Sequence, residues 1–185
     1  MHLYVSDGTN NYIRGKDEVD AEKIQNEEIV AKGLPVVTVL IGVFSKQTGI
    51  PLAGVVNQPF AYYDKDKKQW SGKIHWGCLV NGQKYSNINV LPSLPKPRAI
   101  LSFTEPSELV EKLKLHYQCV QAGGAGHKIL CVVLGLADIY VSSKASTYKW
   151  DTCAGKYLIP FLGYNITLLI VSFRTSLTSK YRWRM

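Results

Sequence analysis

Three short stretches set chemically useful residues side by side. Asp7-Gly8-Thr9 puts a carboxylate ahead of a glycine and a hydroxyl. That order suits a cation beside a phosphate held on backbone N–H groups, and it equally suits a plain turn. Ala122-Gly123-Gly124-Ala125-Gly126-His127-Lys128 follows a predicted strand–helix unit. Its small residues let backbone N–H groups approach an anion, and Lys128 adds a positive charge; a tight helix-entry turn is the other reading. The stretch lacks the GxxxxGKS or GxxxxGKT spacing of a Walker A loop, and Ile129 follows Lys128. No acidic residue stands about 20 positions on at a strand end, so it is not a dinucleotide fingerprint either. In the third stretch, Ser146 to Ala154, Asp151 falls at a predicted helix start. A carboxylate is favoured there by the helix dipole, and one held by Trp150 and Ala154 would also suit a divalent cation.

The elements that must position these residues follow from pattern. Residues 1–15 read as a loop or strand end closing on Gly15, and 16–33 as a solvated mixed-charge loop or short helix. Pro35 to Phe44 is a near-continuous β-branched run. Ser45 to Gly49 is a turn, and Ile50 to Val56 resumes the apolar pattern, which predicts a hairpin of two buried strands. A polar turn at Asp64 to Gln69 leads to a strand at Lys73 to Cys78, and 81–97 reads as a loop. Arg98 to Phe103 predicts a strand. Thr104-Glu105-Pro106 predicts a helix start with Thr104 as cap, continued through Leu109, Leu113 and His116/Tyr117. Lys128 to Leu136 predicts a helix and Ala137 to Val141 a strand. A hairpin-like first half and an alternating second half predict a layered α/β sandwich.

Composition limits the partners. The 185 residues hold 22 Lys plus Arg against 14 Asp plus Glu, a net charge of +8. The excess is uneven, since Lys156, Arg174, Lys180, Arg182 and Arg184 stand against Asp151 alone after residue 150. A uniform nucleic-acid-binding surface is therefore not expected. Cys78, Cys119, Cys131 and Cys153 show no zinc-ligand spacing, and Met1 to Tyr4 shows no signal-peptide pattern. Free thiols in a reducing cytoplasm are expected.

Asp7-Gly8-Thr9, GVVNQPF at 54–60, AGGAGHK at 122–128 and KWDTCA at 149–154 occur in one order. Together they resemble the lithium-sensitive, magnesium-dependent phosphatase superfamily that includes inositol monophosphatase. Longer stretches at 37–60, 122–141 and 146–154 resemble its inositol polyphosphate 1-phosphatase branch. The resemblance runs over roughly residues 6–156. It implies an α/β (α+β) fold, a layered α-β-α-β sugar-phosphatase sandwich, incomplete at the N-terminus and divergent after about residue 156. The division expected is a partial phosphatase domain at 1–156 and an apolar and basic tail at 157–185.

The resemblance also implies an enzyme that removes the 1-phosphate from inositol 1,4-bisphosphate and inositol 1,3,4-trisphosphate with Mg²⁺, in phosphatidylinositol signalling. Asp7 and Thr9 would be catalytic. Asp7, the Ser6 carbonyl and Asp151 would face the metal. Asp7, Gly8, Thr9, Ser102, Thr104, Gly124, Ala125, Lys128 and Ser146 would surround the substrate. Two departures stand out: the leading Asp of the family's DPIDGT-type motif falls on Tyr4, and its glutamate-bearing helix has no counterpart. A catalytically impaired chain that still binds inositol phosphates is the alternative reading. The remaining expectations are a cytoplasmic monomer with an inositol polyphosphate as partner, no nucleic acid and no stable membrane insertion. Leu158 to Phe173 is apolar but interrupted by Pro160, Gly163, Asn165 and Thr167, and a spanning helix needs about 20 predominantly apolar residues.

Overall fold

The β-branched run after Pro35 forms a strand because residues of that kind pack well on a pleated surface. In the computed structural model, which describes residues 2–15, 28–92, 95–143, 149–158 and 168–170, it becomes β2 (Thr38–Phe44). A turn returns the chain into β3 (Pro51–Asp64), where Ser45 N–H donates to the Ile50 carbonyl at 2.9 Å. The two strands pair antiparallel, with Leu40 opposite Val56 and a register shift at Val43/Phe44. The polar turn is as predicted: the Asp64 carboxylate accepts the N–H groups of Asp66 and Lys67, both at 3.0 Å, and β4 (Gln69–Val80) follows.

One strand lies where a loop was expected, and the stretch read as a loop or strand end holds a full strand. β1 (His2–Asp7) pairs antiparallel with β2, and β5 (Gln83–Ser86) pairs with β4, giving the order β1-β2-β3-β4-β5. Both are edge strands. All four residues of β5 are exposed, so no apolar alternation announces it; the neighbouring strand, not its own pattern, fixes it. After β1 the chain turns at Gly8 into a short helix, α1 (Thr9–Arg14), which Gly15 closes in the left-handed conformation.

The second half builds a parallel sheet. β6 (Arg98–Leu101), β7 (Gln118–Gln121), β8 (Ile139–Ser142) and β9 (Leu168–Ile170) lie in the order β7-β6-β8-β9. α2 (Ser107–Lys114) connects β6 to β7, and α3 (Ala125–Val133) connects β7 to β8. Thr104 does not cap α2. Pro106 stands at the cap position with no side-chain bond, and the helix starts one residue later. β7 was not foreseen; QCVQ is too short and too polar to separate from the end of the helix before it.

α3 is buried from Gly126 to Val133 because it lies between the sheets, touching β2 on one side and β8 on the other. α4 (Lys149–Leu158) packs on β1, β2, β3 and α3, and α2 packs on β7 outside the sandwich. The core joins Leu40 and Val56 of the first sheet, Ile100 and Tyr140 of the second, and Ile129, Leu130, Val132 and Val133 of α3. Each such side chain contributes roughly 1.5–3 kcal/mol by leaving water. The expected boundary at 156 falls inside α4, and β9, from the region expected to be a divergent tail, joins the second sheet beside β8.

Candidate active site

The end of β1 and the start of α3 meet, although 119 residues separate them. Asp7 closes β1, opposite Thr38 of β2. Its Oδ1 accepts the Gly8 N–H at 2.8 Å, and its Oδ2 accepts the Gly126 N–H at 2.6 Å. Bonds from N–H groups to a carboxylate are charge-assisted and stronger than neutral ones, so this junction fixes the side chain. Glycine is required on both sides of it. Gly8 has φ +84°, and a Cβ there would lie 3.0 Å from the Val37 Cα. Gly124 has φ +67°, and a Cβ there would lie 2.9 Å from the Val36 carbonyl oxygen and 3.3 Å from Asp7 Oδ2. Gly126 lets α3 settle onto β2: a Cβ there would come within 2.5 Å of Thr38 Oγ1. Two of the three stretches singled out by residue type therefore form one site.

Lys128 lies beneath this loop. It is 3% exposed, and its Nζ donates to the carbonyls of Gly124 (2.9 Å) and Ala122 (3.3 Å). The ammonium also stands 5.3 Å from the centre of the Tyr140 ring. Burial pulls its pKa below the ordinary lysine value, and the Asp7 carboxylate is the largest of the charges that oppose this. Next to it, His127 places Nε2 3.0 Å from the Val30 carbonyl, so that nitrogen carries the proton. Burial, followed by the smaller effects of that bond and of Lys128, lowers its pKa to about 4. Cys131 Sγ lies 3.6 Å from the same nitrogen, with a thiol pushed up to about 12 by burial. A neutral imidazole and a protonated thiol do not make a nucleophile and base, so this buried pair is packing.

The other expected residues divide between the two sheets and the helices beside them. Ser102 is half-buried and its carbonyl accepts the Glu105 N–H at 3.3 Å, while Thr104 is exposed in the same turn. Ala125 opens α3, and Ser6 and Thr9 are exposed on either side of the Asp7–Gly8 turn. Asp151 is half-buried in the first turn of α4, the helix that packs on both β1 and α3. Ser146 lies outside the described residues. Three contributors were not foreseen. Val36, in the turn just before β2, and Thr38, the first residue of β2, wall the loop, and Glu105, 8% exposed, accepts both the N–H and the hydroxyl of Ser143. The first two read only as strand formers and Glu105 only as a first-turn acid.

Among the described residues, no three His, Cys, Asp or Glu side chains converge to hold a metal ion. A hard divalent cation takes six or more oxygens, and both oxygens of Asp7 already accept backbone N–H groups. Mg²⁺ keeps several waters and is commonly held by one or two carboxylates, so Asp7, Asp151 and the Ser6 carbonyl would supply only part of its shell. Among the described residues, Cys78, Cys119 and Cys131 are free thiols, and no helix is long and apolar enough to cross a membrane.

Comparison with known proteins adds an independent line. The model of the inositol monophosphatase family matches residues 7–179, which carries the match beyond the region near 156 where the motifs thin out. Inositol polyphosphate 1-phosphatase of Mus musculus is 36% identical over 179 residues, covering 86% of this chain and 44% of the relative. The 3'(2'),5'-bisphosphate nucleotidase 1 of Homo sapiens is 32% identical over 160 residues, covering 82% of this chain and 48% of the relative. A solved inositol monophosphatase–fructose 1,6-bisphosphatase superposes with a TM-score of 0.55 at 17% identity, over 86% of this chain and 53% of its own. The chain thus spans about half the length of the relatives it matches.

Proposed function

The chain belongs to the inositol monophosphatase family, and from that premise we propose that it acts in phosphomonoester hydrolysis on a phosphorylated inositol. The substrates proposed are inositol 1,4-bisphosphate and inositol 1,3,4-trisphosphate, cleaved at the 1-phosphate, in phosphatidylinositol signalling. The observation that carries the reading is the Asp7–Gly126 bond, which ties the Asp-Gly-Thr turn to the glycine-rich loop. On this reading Asp7 and Thr9 take part in the hydrolysis. The backbone at Gly8, Thr9, Gly124 and Ala125 faces the phosphates, since N–H groups at such turns suit an anion. Ser102, Thr104 and Ser146 supply hydroxyls to the inositol. Lys128 acts from below the loop, with one of its three N–H groups left after the two carbonyls for a remote phosphate.

Magnesium dependence is general in the family, and Ser6, Asp7 and Asp151 are the proposed contacts of that ion. Because these donors fall short of a full set, no step of hydrolysis is assigned to a metal here. The chain is proposed to be a cytoplasmic monomer, and the free thiols agree with a reducing compartment.

Release of phosphate from inositol 1,4-bisphosphate by the purified chain, followed by ³¹P resonance across a magnesium titration, tests the proposal. Slow release is expected, below the roughly 1–1000 s⁻¹ usual for enzymes. Asp7→Asn should abolish it, and Tyr4→Asp, which restores a carboxylate in β1, should raise it. Binding without release would leave the impaired binder as the reading. Absence of both binding and release would refute the proposal.

A further inference from the structure

The C-terminal ends of β6 and β8 lie side by side, with Leu101 paired to Val141. In an open parallel sheet, ligands sit in the crevice outside such ends, and the loops that leave them carry the contacts. Here β6 runs into the turn Ser102 to Pro106, and β8 runs through Ser142 into Ser143. One side chain joins the two. Oε2 of Glu105 accepts the Ser143 N–H at 3.0 Å and the Ser143 hydroxyl as well. The carboxylate is buried, and the Glu105 N–H donates back to Ser102, which closes the turn on itself. A buried carboxylate is costly unless hydrogen-bonded, so this bridge has one favourable arrangement. The Ala122 N–H donates to the Leu101 carbonyl at 2.9 Å, which ties the start of the glycine-rich loop to the end of β6 as well.

We propose that Glu105 is a positioning residue: it locks the turn after β6 to the end of β8 and so fixes where the hydroxyls of Ser102 and Thr104 stand relative to the glycine-rich loop. The proposal rests on the reading of that crevice as an inositol-phosphate site. Glu105 touches no substrate itself. It separates the recognition of the sugar, which depends on the two loops, from the recognition of phosphate, which depends on Asp7, Gly8 and the start of α3.

Both bonds from Ser143 end on the same oxygen, which supplies the test. Glutamine at this position keeps one carbonyl oxygen for both donors and loses only the charge, whereas alanine loses the bridge. Calorimetric titration with inositol 1,4-bisphosphate and, separately, with inorganic phosphate reads the two kinds of recognition. Glu105→Ala should weaken inositol 1,4-bisphosphate roughly tenfold or more, as loss of bonds to a charged group would, and leave inorganic phosphate within about twofold. Glu105→Gln should stay within about threefold of the parent for both probes. Equal losses for both probes, or a glutamine variant as weak as alanine, would overturn the positioning role. Amide hydrogen exchange gives a second readout that needs no ligand. Protection at Ser143 and Glu105 should fall in Glu105→Ala and return in Glu105→Gln, with α3 unchanged. Unchanged protection in Glu105→Ala would refute the lock. Should the parent chain bind neither probe, the functional reading fails while exchange still decides the lock.

Discussion

Single residues set the terms of the site, and glycines set them most sharply. Gly124 combines φ +67° with a space where a Cβ would meet the Val36 carbonyl oxygen at 2.9 Å. Gly124→Ala is therefore expected to cost roughly 2–4 kcal/mol, from left-handed strain and the close contact together. A urea midpoint unchanged from the parent would show that the loop yields instead. His127 sets a pH limit. Its pKa falls from 6.5 to about 4 in the folded chain because of burial, so the unfolded chain takes up the proton first. Stability from this residue is complete above about pH 6.5 and is lost as pH falls toward 4, by roughly 2–3 kcal/mol at pH 4.5. Thermal melts from pH 7.5 to 4.5 should show this slope, and His127→Gln, which keeps an N–H for the Val30 carbonyl, should flatten it. Equal slopes in the two proteins would remove His127 as the cause. Residue type alone pointed to Asp7 and the glycine-rich loop, because carboxylates and glycines advertise what they do. It said nothing of the depth of Lys128 or the turning-in of Glu105, since both depend on which carbonyls and hydroxyls the fold brings near.

Elements were legible where their signal was strong in one direction. The β2–β3 hairpin, the turn into β4, β6, α3 and β8 all follow from apolar runs and punctuation in the sequence. Runs such as Ala99 to Leu101 are continuously apolar because helices or sheets cover both faces. β5 and β7 were hidden for the opposite reason, since each is short and is defined by a neighbour, and β1 was legible only as a loop or strand end. The meeting of α3 and α4 was hidden too, and Gly155 makes room for it. A Cβ at Gly155 would collide with the Cγ2 of Ile129, so the absent side chain leaves the space that Ile129 fills. Gly155→Ala should push α4 off α3 and cost about 1–3 kcal/mol. It should also weaken any function of Asp151, which rides one turn earlier on the same helix. In a double-mutant cycle with Ile129→Ala, the pair should lose measurably less than the sum of the singles, because the removed methyl is the one in the way. Additive losses would mean that the helices are held apart by something other than this contact.

At the scale of the whole molecule, the second sheet takes in chain that the sequence pattern set aside. Leu158 to Phe173 reads as an ill-matched apolar tail, and its interruptions argue against a membrane span. Yet Leu168–Ile170 forms β9, parallel to β8, with Tyr140 opposite Leu168 and Ser142 opposite Ile170. Tyr140, Val141 and Ser142 are each at most 2% exposed, so β8 is an interior strand of the molecule. Removing its neighbour would leave a row of unpaired N–H and C=O groups along a hydrophobic strand, the kind of edge that templates aggregation. Deleting residues 160–185 should therefore lower the melting temperature and raise light scattering on concentration. If the tail were merely exposed apolar surface, the same deletion would suppress scattering and leave melting unchanged, so the sign of the change separates the two cases. Because β8 ends at the loop that Glu105 clamps, the deletion should also increase amide exchange at Ser143. Unchanged exchange there, with melting unaltered, would show that β8 keeps its place without β9 and that the site depends on α3 and β6 alone.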